Sequence, residues 1–128
     1  VAGVGSTAST TPVDYPGPVT KVINKRYSAT SLLVSGHVGA FKGTNVGIIS
    51  IYLQLTGVAY PIPVDYLLSE FFFNELNSHR NITFTVPIAQ TKPADVYTAK
   101  VRWSTPVTSA NSNTGDTVQI RIEEGYWA

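Results

Sequence analysis

The residues of this chain that could do chemistry are few and scattered. The 2 histidines, His37 and His79, stand on different segments, and neither has a second histidine or a carboxylate at the spacing of a metal-ligand set. Each reads as a surface or strand-face residue. Glu70 and Glu75 lie close in sequence, as do Glu123 and Glu124, but a glycosidase needs two carboxylates that face one sugar from opposite sides. Adjacent residues of a strand point to opposite faces. Ser35-Gly36-His37 is not the strained Gly-x-Ser-x-Gly elbow of a hydrolase, and the glycines of Val1–Gly5 and Gly36–Gly43 lack the strand, turn and helix that make a phosphate cradle. Asn111 to Asp116 carries oxygen-bearing side chains at alternate positions, as a calcium loop does. It has a single carboxylate and a misplaced glycine, so a plain hairpin loop is the better reading. No catalytic residue, cofactor or metal is expected, and the chain reads as non-enzymatic. Hydrolysis would return as a reading only if folding brought two of Asp65, Glu70, Glu75 and His79 into one cleft.

The bulk composition narrows the field further. A chain of 128 residues is the size of one domain and can bury a core without metal or disulfide staples. Cysteine is absent, which excludes disulfides, thiolate metal sites and a cysteine nucleophile. Hydrophobic residues make up 43% of the chain and charged residues only 13%, so Thr, Ser, Asn, Gln and Tyr must cover much of the surface. A net charge of +1 gives no field to gather nucleic acid or anionic lipid over a distance. No apolar run is long enough to cross a membrane, and the start lacks the basic, then apolar, then cleavage-site order of a signal peptide. Asn81-Ile82-Thr83 meets the glycosylation rule, which matters only in a protein secreted by a eukaryote.

The elements that must position these residues are strands. Val96 to Ser104 alternates Tyr97, Ala99, Val101 and Trp103 with Thr98, Lys100 and Arg102, the period of a half-buried strand. Thr117 to Glu123 repeats the pattern, and the polar stretch Thr108–Asp116 between them predicts an antiparallel hairpin. Upstream, Val19–Tyr27, Leu32–Phe41, Val46–Thr56 and Asn81–Ile88 read as further strands. Gly36 and Gly39 mark a bulge or a close backbone approach. Tyr60–Val64 carries two prolines and suits an edge strand or a connector. Leu67–Arg80 mixes helical spacing at Leu68, Phe72 and Leu76 with a Phe71-Phe72-Phe73 run, and a short strand or corner is preferred. These signals predict an all-β, antiparallel, jelly-roll-like sandwich of seven or eight strands over residues 19–128. Residues 1–18 form an extended arm rich in Pro, Gly, Ser and Thr, which is ordered only if a neighbouring subunit or its own domain holds it down. Pro-Val-Asp-Tyr occurs at Pro12–Tyr15 and again at Pro63–Tyr66, and coincidence between two extended segments is the simpler explanation.

Apolar residues on both faces are the more informative anomaly. Leu32-Leu33-Val34, Ile48-Ile49 and Phe71-Phe72-Phe73 place apolar side chains in succession, although neighbours on a strand face opposite ways. A two-layer domain hides one face of each sheet, so Leu33, Ile48, Phe71, Phe72 and Phe73 are candidate contact residues, with Val13, Tyr15 and Pro16 in the arm. A second copy of the chain is the expected partner, in a closed homo-oligomer. A second reading is a glycan-binding module in which Tyr52, Tyr60, Tyr66, Tyr126 and Trp127 stack on pyranose rings. That reading would place the chain among secreted or cell-surface proteins.

Asn81–Phe84, Pro93–Trp103 and Val118–Glu124 together resemble a pattern of small β-sandwich modules in tailed-bacteriophage virion proteins. In those modules an alternating strand, a turn, a Tyr-Thr-x-x-Val-x-Trp strand, a polar loop and a last strand follow one another. The resemblance covers about a third of the chain. It implies a head decoration, tail or fibre-tip protein on the particle surface, often trimeric, that binds a major capsid or tail protein. It carries over no catalytic residues.

Overall fold

The computed structural model describes residues 5–17, 20–113 and 115–126. Ten strands follow in chain order: β1 (Gly5–Thr7), β2 (Val13–Asp14), β3 (Thr20–Lys25), β4 (Ser31–Lys42), β5 (Gly47–Gly57), β6 (Val64–Phe73), β7 (Arg80–Ile88), β8 (Asp95–Ser104), β9 (Ala110–Ser112) and β10 (Val118–Gly125). Six of the seven long ones match the sequence expectation, β6 is a 10-residue strand where Leu67–Arg80 predicts a short strand or corner, and the other three are short. They form two antiparallel sheets. In the first, β4 pairs with β7 along one edge and with β10 and β9 along the other, and β1 adds outside β9. In the second, β8 is flanked by β5 and by β2 with β3, and β6 lies outside β5.

Alternation decides what lies between the layers. Leu32, Val34, Val38, Ile82, Phe84 and Ile120 of the first sheet meet Ile49, Ile51, Leu53, Leu55, Tyr97, Val101 and Trp103 of the second in one buried core. Each such side chain contributes about 1.5–3 kcal/mol by leaving water. Gly36 lets the first sheet close up: its φ is +141°, and a Cβ there would fall 1.8 Å from the Gln119 carbonyl oxygen. Only glycine fits that approach.

One expectation fails here. β8 and β10 do not form a hairpin, because they belong to different sheets. The stretch between them crosses the sandwich, and within it β9 pairs with Phe41 and Lys42, in line with β10 along the same edge of β4. Periodicity marked both strands correctly, but it does not say which strand a neighbour pairs with.

The arm takes one of the two courses open to it, packing on its own domain. Its residues 5–17 lie on this chain's own body: β1 joins the first sheet, β2 the second, and the Thr105 amide donates to the Ser9 carbonyl at 2.8 Å. Tyr15 is buried edge-on against Trp103, with ring centroids 4.7 Å apart, and its hydroxyl donates to the Gly39 carbonyl of the opposite sheet. Val13 packs half-buried against the core opposite Trp103, and Pro16 sits against Gly5. Proline-fixed extended backbone needs few contacts to be held, and a single aromatic anchor supplies them.

Two lysines are buried at the ends of the sandwich. Lys25 Nζ donates to the carbonyls of Tyr27 at 2.5 Å, Ser28 at 3.3 Å and Lys92 at 2.8 Å, tying the β3–β4 turn to the β7–β8 turn. Lys42 Nζ donates to Thr105 Oγ1 at 2.8 Å and to the Val107 carbonyl. Desolvation lowers the pKa of both, as expected for cations held by neutral oxygens, and Glu124 partly restores that of Lys25.

Candidate interaction surface

β6 is apolar on both faces because it is a sheet edge that does different work on each side. Gly47, Ile49 and their partners Phe73 and Phe71 face inward. Phe73 is sealed in the core, with Phe71 against it at 4.8 Å between centroids, so Phe73 offers nothing to a neighbour. Ile48 and its partner Phe72 face outward, Ile48 half-buried and Phe72 60% exposed. A bulge opposite Ile51 and Tyr52 inserts an extra residue, which sends Leu68 inward while Leu67 stays exposed beside Tyr52. Of the residues expected to lie bare, Phe71 and Phe72 are exposed. Leu33 and Ile48 are half-buried on the outer faces of the two sheets, and Phe73 is buried.

Beyond this apolar strip the centre of the outer face of the second sheet is polar. Arg102 crosses its centre: Nη1 donates to Asp14 Oδ1 at 2.9 Å, Nη2 to the Pro12 carbonyl at 2.6 Å, and Nε stands 3.1 Å from Asp65 Oδ1 as an ion pair without a hydrogen bond. Lys100 reaches Asp14 at 3.3 Å, Ser50 donates to Glu70 at 3.1 Å, and the Tyr52 and Ser104 hydroxyls lie 3.0 Å apart. Of the acids considered for hydrolysis, Asp65 and Glu70 therefore serve an ordinary surface network.

Two open seams between the layers differ. One, about 360 Å³, lies between β6 and β7 and is lined by Tyr66, Leu67 and residues 86–91. The other, about 450 Å³, lies between β3 and β10 and is lined by Ile23, Asn24, Arg26, Tyr27, Thr30, Ile122 and residues 124–126. Glu124 forms the floor of this second cleft. Its carboxylate takes the Arg26 and Tyr27 amides at 2.9 Å each and the Thr30 hydroxyl at 2.5 Å. Desolvation pushes its pKa up, but those hydrogen bonds and the Lys25 ammonium outweigh it and hold the group below the usual carboxylate range.

The tyrosines expected to stack on sugar do not gather. Tyr52 lies on the outer face, Tyr60 in the connector after β5, Tyr66 at the first cleft and Tyr126 at the second, while Trp127 lies outside the described residues. Neither cleft contains Asp65, Glu70, Glu75 or His79. His79 Nδ1 instead meets the buried Asp116 Oδ1 at 2.8 Å, and Asp116 Oδ2 takes the Asn113 amide at 2.8 Å. The carboxylate of the calcium-like loop is thus turned inward and used. Among the described residues no three His, Cys, Asp or Glu converge as a metal set. The His79–Asp116 pair escaped the sequence because 36 intervening residues separate the partners, so spacing carries no signal of it.

No protein-family description matches the sequence, and no curated protein matches it. Solved structures do. A chain in the structure of infectious bursal disease virus, Gt strain, superposes with a TM-score of 0.54 at 10% identity over 94% of this chain and 38% of that chain. A chain of the Gx strain gives a TM-score of 0.44 at 12% identity, over 94% of this chain and 31% of that one. The protein thus spans well under half the length of the viral chain with which it shares a fold. The likeness shows a shared fold, an all-β sandwich of two antiparallel sheets, with a chain of a virus structure other than the tailed-bacteriophage modules that the C-terminal third had implied.

Proposed function

We propose that this chain is a non-enzymatic structural component of a virus particle, exposed at the particle surface. There it associates with copies of itself, as a trimer, and seats on a major capsid or tail protein as a decoration. The observation that carries this reading is the outward strip of Ile48, Phe72 and Leu67, which no segment of the described chain covers. It lies on a sandwich whose fold is shared with a chain of infectious bursal disease virus. Exposed apolar strips of this kind mark contacts between proteins. An antibody against the exposed Pro61–Pro63 connector, imaged on purified particles, tests it. Regular label over the particle supports the reading, and label confined to the soluble fraction overturns it.

A glycan-binding role is the second reading, now centred on the cleft between β3 and β10. Tyr27 and Tyr126 stand exposed at its rim, with Asn24 and Arg26 beside them. Aromatic faces with nearby amide and guanidinium donors suit a pyranose. Saturable quenching of tyrosine fluorescence by a sugar, lost in Tyr126→Ala, supports this role, and a flat titration across a glycan panel removes it.

A further inference from the structure

We infer that the two edges of the second sheet are complementary, so that β6 of one copy pairs antiparallel with β3 of the next and carries the sheet across the subunit boundary. The contact stands on these edges alone and needs no virus particle. Strand direction comes first. β3 runs against β8, β8 against β5 and β5 against β6, so β3 and β6 point opposite ways at the two margins of one sheet. A second copy laid beside the first in the same orientation therefore continues the antiparallel alternation without reversal.

The edges also lack proline and bulges where they would meet. Sheets blunt their margins with proline, bulges or charges placed in the strand, and here only charges are present, of opposite sign on the two margins. β7 has Pro87, and β1 is only 3 residues long. β6 has its bulge at Leu68, which leaves Ser69–Phe73 regular, and neither that stretch nor β3 contains proline. Pairing Phe72 with Val22 sets these two spans against each other. Both side chains face outward, Phe72 60% and Val22 75% exposed, and the same register puts inward-facing Phe71 beside Ile23. Apolar and aromatic cross-strand pairs of this kind stabilise a ladder.

Charge then selects the partner. From Val64 to Ser78 the chain carries Asp65, Glu70 and Glu75 and no base, and from Thr20 to Tyr27 it carries Lys21, Lys25 and Arg26 and no acid. Asp65 is paired with Arg102 and Lys25 is buried, so Glu70 and Glu75 remain exposed on one edge and Lys21 and Arg26 on the other. Two β6 edges would bring like charges together, whereas β6 against β3 brings opposite ones. The contact is heterologous, and it closes a ring if the rotation between copies closes.

Sedimentation of the full chain and three variants decides the matter. Glu70→Lys with Glu75→Lys makes both edges basic, and Lys21→Glu with Arg26→Glu makes both acidic. Each double variant should self-associate on the order of tenfold more weakly than the parent, and the quadruple variant, with both edges inverted, should recover the parental association. All four side chains are exposed, so unchanged thermal unfolding of each variant is the control for folding. A parent that stays monomeric at millimolar concentration overturns the inference. So does a Lys21→Glu, Arg26→Glu variant that associates like the parent, which would point to β6 meeting β6. Failure of the quadruple variant to recover overturns it equally.

Discussion

Tyr15 and Phe72 are both aromatic residues that the sequence offers as contacts with another molecule, and the fold treats them in opposite ways. Around Tyr15 the chain supplies its own cover. Residues 5–16 run from the edge of the first sheet to the edge of the second, and the Tyr15 ring goes between the layers against Trp103. Around Phe72 nothing in the described chain returns, and the strip with Ile48 and Leu67 stays open. An aromatic side chain in an extended stretch thus marks a surface needing cover, not the origin of that cover. The surface around Tyr15 is sealed by local chain, and the one around Phe72 is left for a second molecule.

Truncating the anchor breaks the sealed side with the largest effect. Tyr15→Ala removes a buried ring and its bond to Gly39 and should cost about 3 kcal/mol or more, lowering the melting midpoint by roughly 10 °C. A loss below about 1 kcal/mol would mean that the arm is not held by this residue.

The same anchor should make stability fall at high pH. Desolvation, opposed by a hydrogen bond with Ser112 and reinforced by the Asp116 charge, raises the Tyr15 phenol from 10.0 to about 12. A raised value means that the folded state keeps its proton when the unfolded state has lost it. The contribution is therefore whole below pH 10 and is lost as pH rises towards 12, up to roughly 2–3 kcal/mol. Urea unfolding of the parent and of Tyr15→Phe at pH 9 and pH 11.5 checks this: the parent's advantage should shrink or reverse at the higher value. The phenylalanine variant, lacking the phenol, should not show that loss.

Glu124→Gln sharpens the comparison on the β3 side, where the chain ties the turn after β3 to β10. Losing the charged acceptor of the Arg26 and Tyr27 amides should cost about 1–2 kcal/mol at neutral pH. The carboxyl is held below its ordinary 4.5, so its contribution is present above that value and disappears as pH falls through the lowered one. Parent and variant should therefore converge in acid, as followed by denaturant midpoints between pH 7 and pH 2.5.

Much of this fold is legible in the residues themselves. The strand alternation at Tyr97–Trp103 and Ile49–Leu55 places the inward side chains correctly, and Gly36 marks the close approach of Gln119. Pairing is not legible, because β8 and β10 have the same period whether or not they touch. The contact surface is legible only in part. Phe71-Phe72-Phe73 announces excess apolar area, yet which ring turns inward depends on the register of β6 with β5, set by a bulge with no sequence signature. The polar network at Arg102 and the His79–Asp116 pair join residues far apart in sequence, and only the folded chain assembles them.

The smallest expected effect on stability is the most diagnostic. Phe72→Ser replaces a ring that faces water opposite Ile48, so folding should change by no more than about 0.5 kcal/mol. Substituting the neighbouring Phe73, one residue on and turned inward, should cost several times more, since its ring is buried against Phe71. If Phe72 is there for another molecule, the serine variant should keep its melting midpoint and lose self-association, a separation of properties that Tyr15→Ala cannot show. A Phe72→Ser variant that melts as early as Phe73→Ala would place Phe72 in the core, and its surface would then be sealed like that around Tyr15.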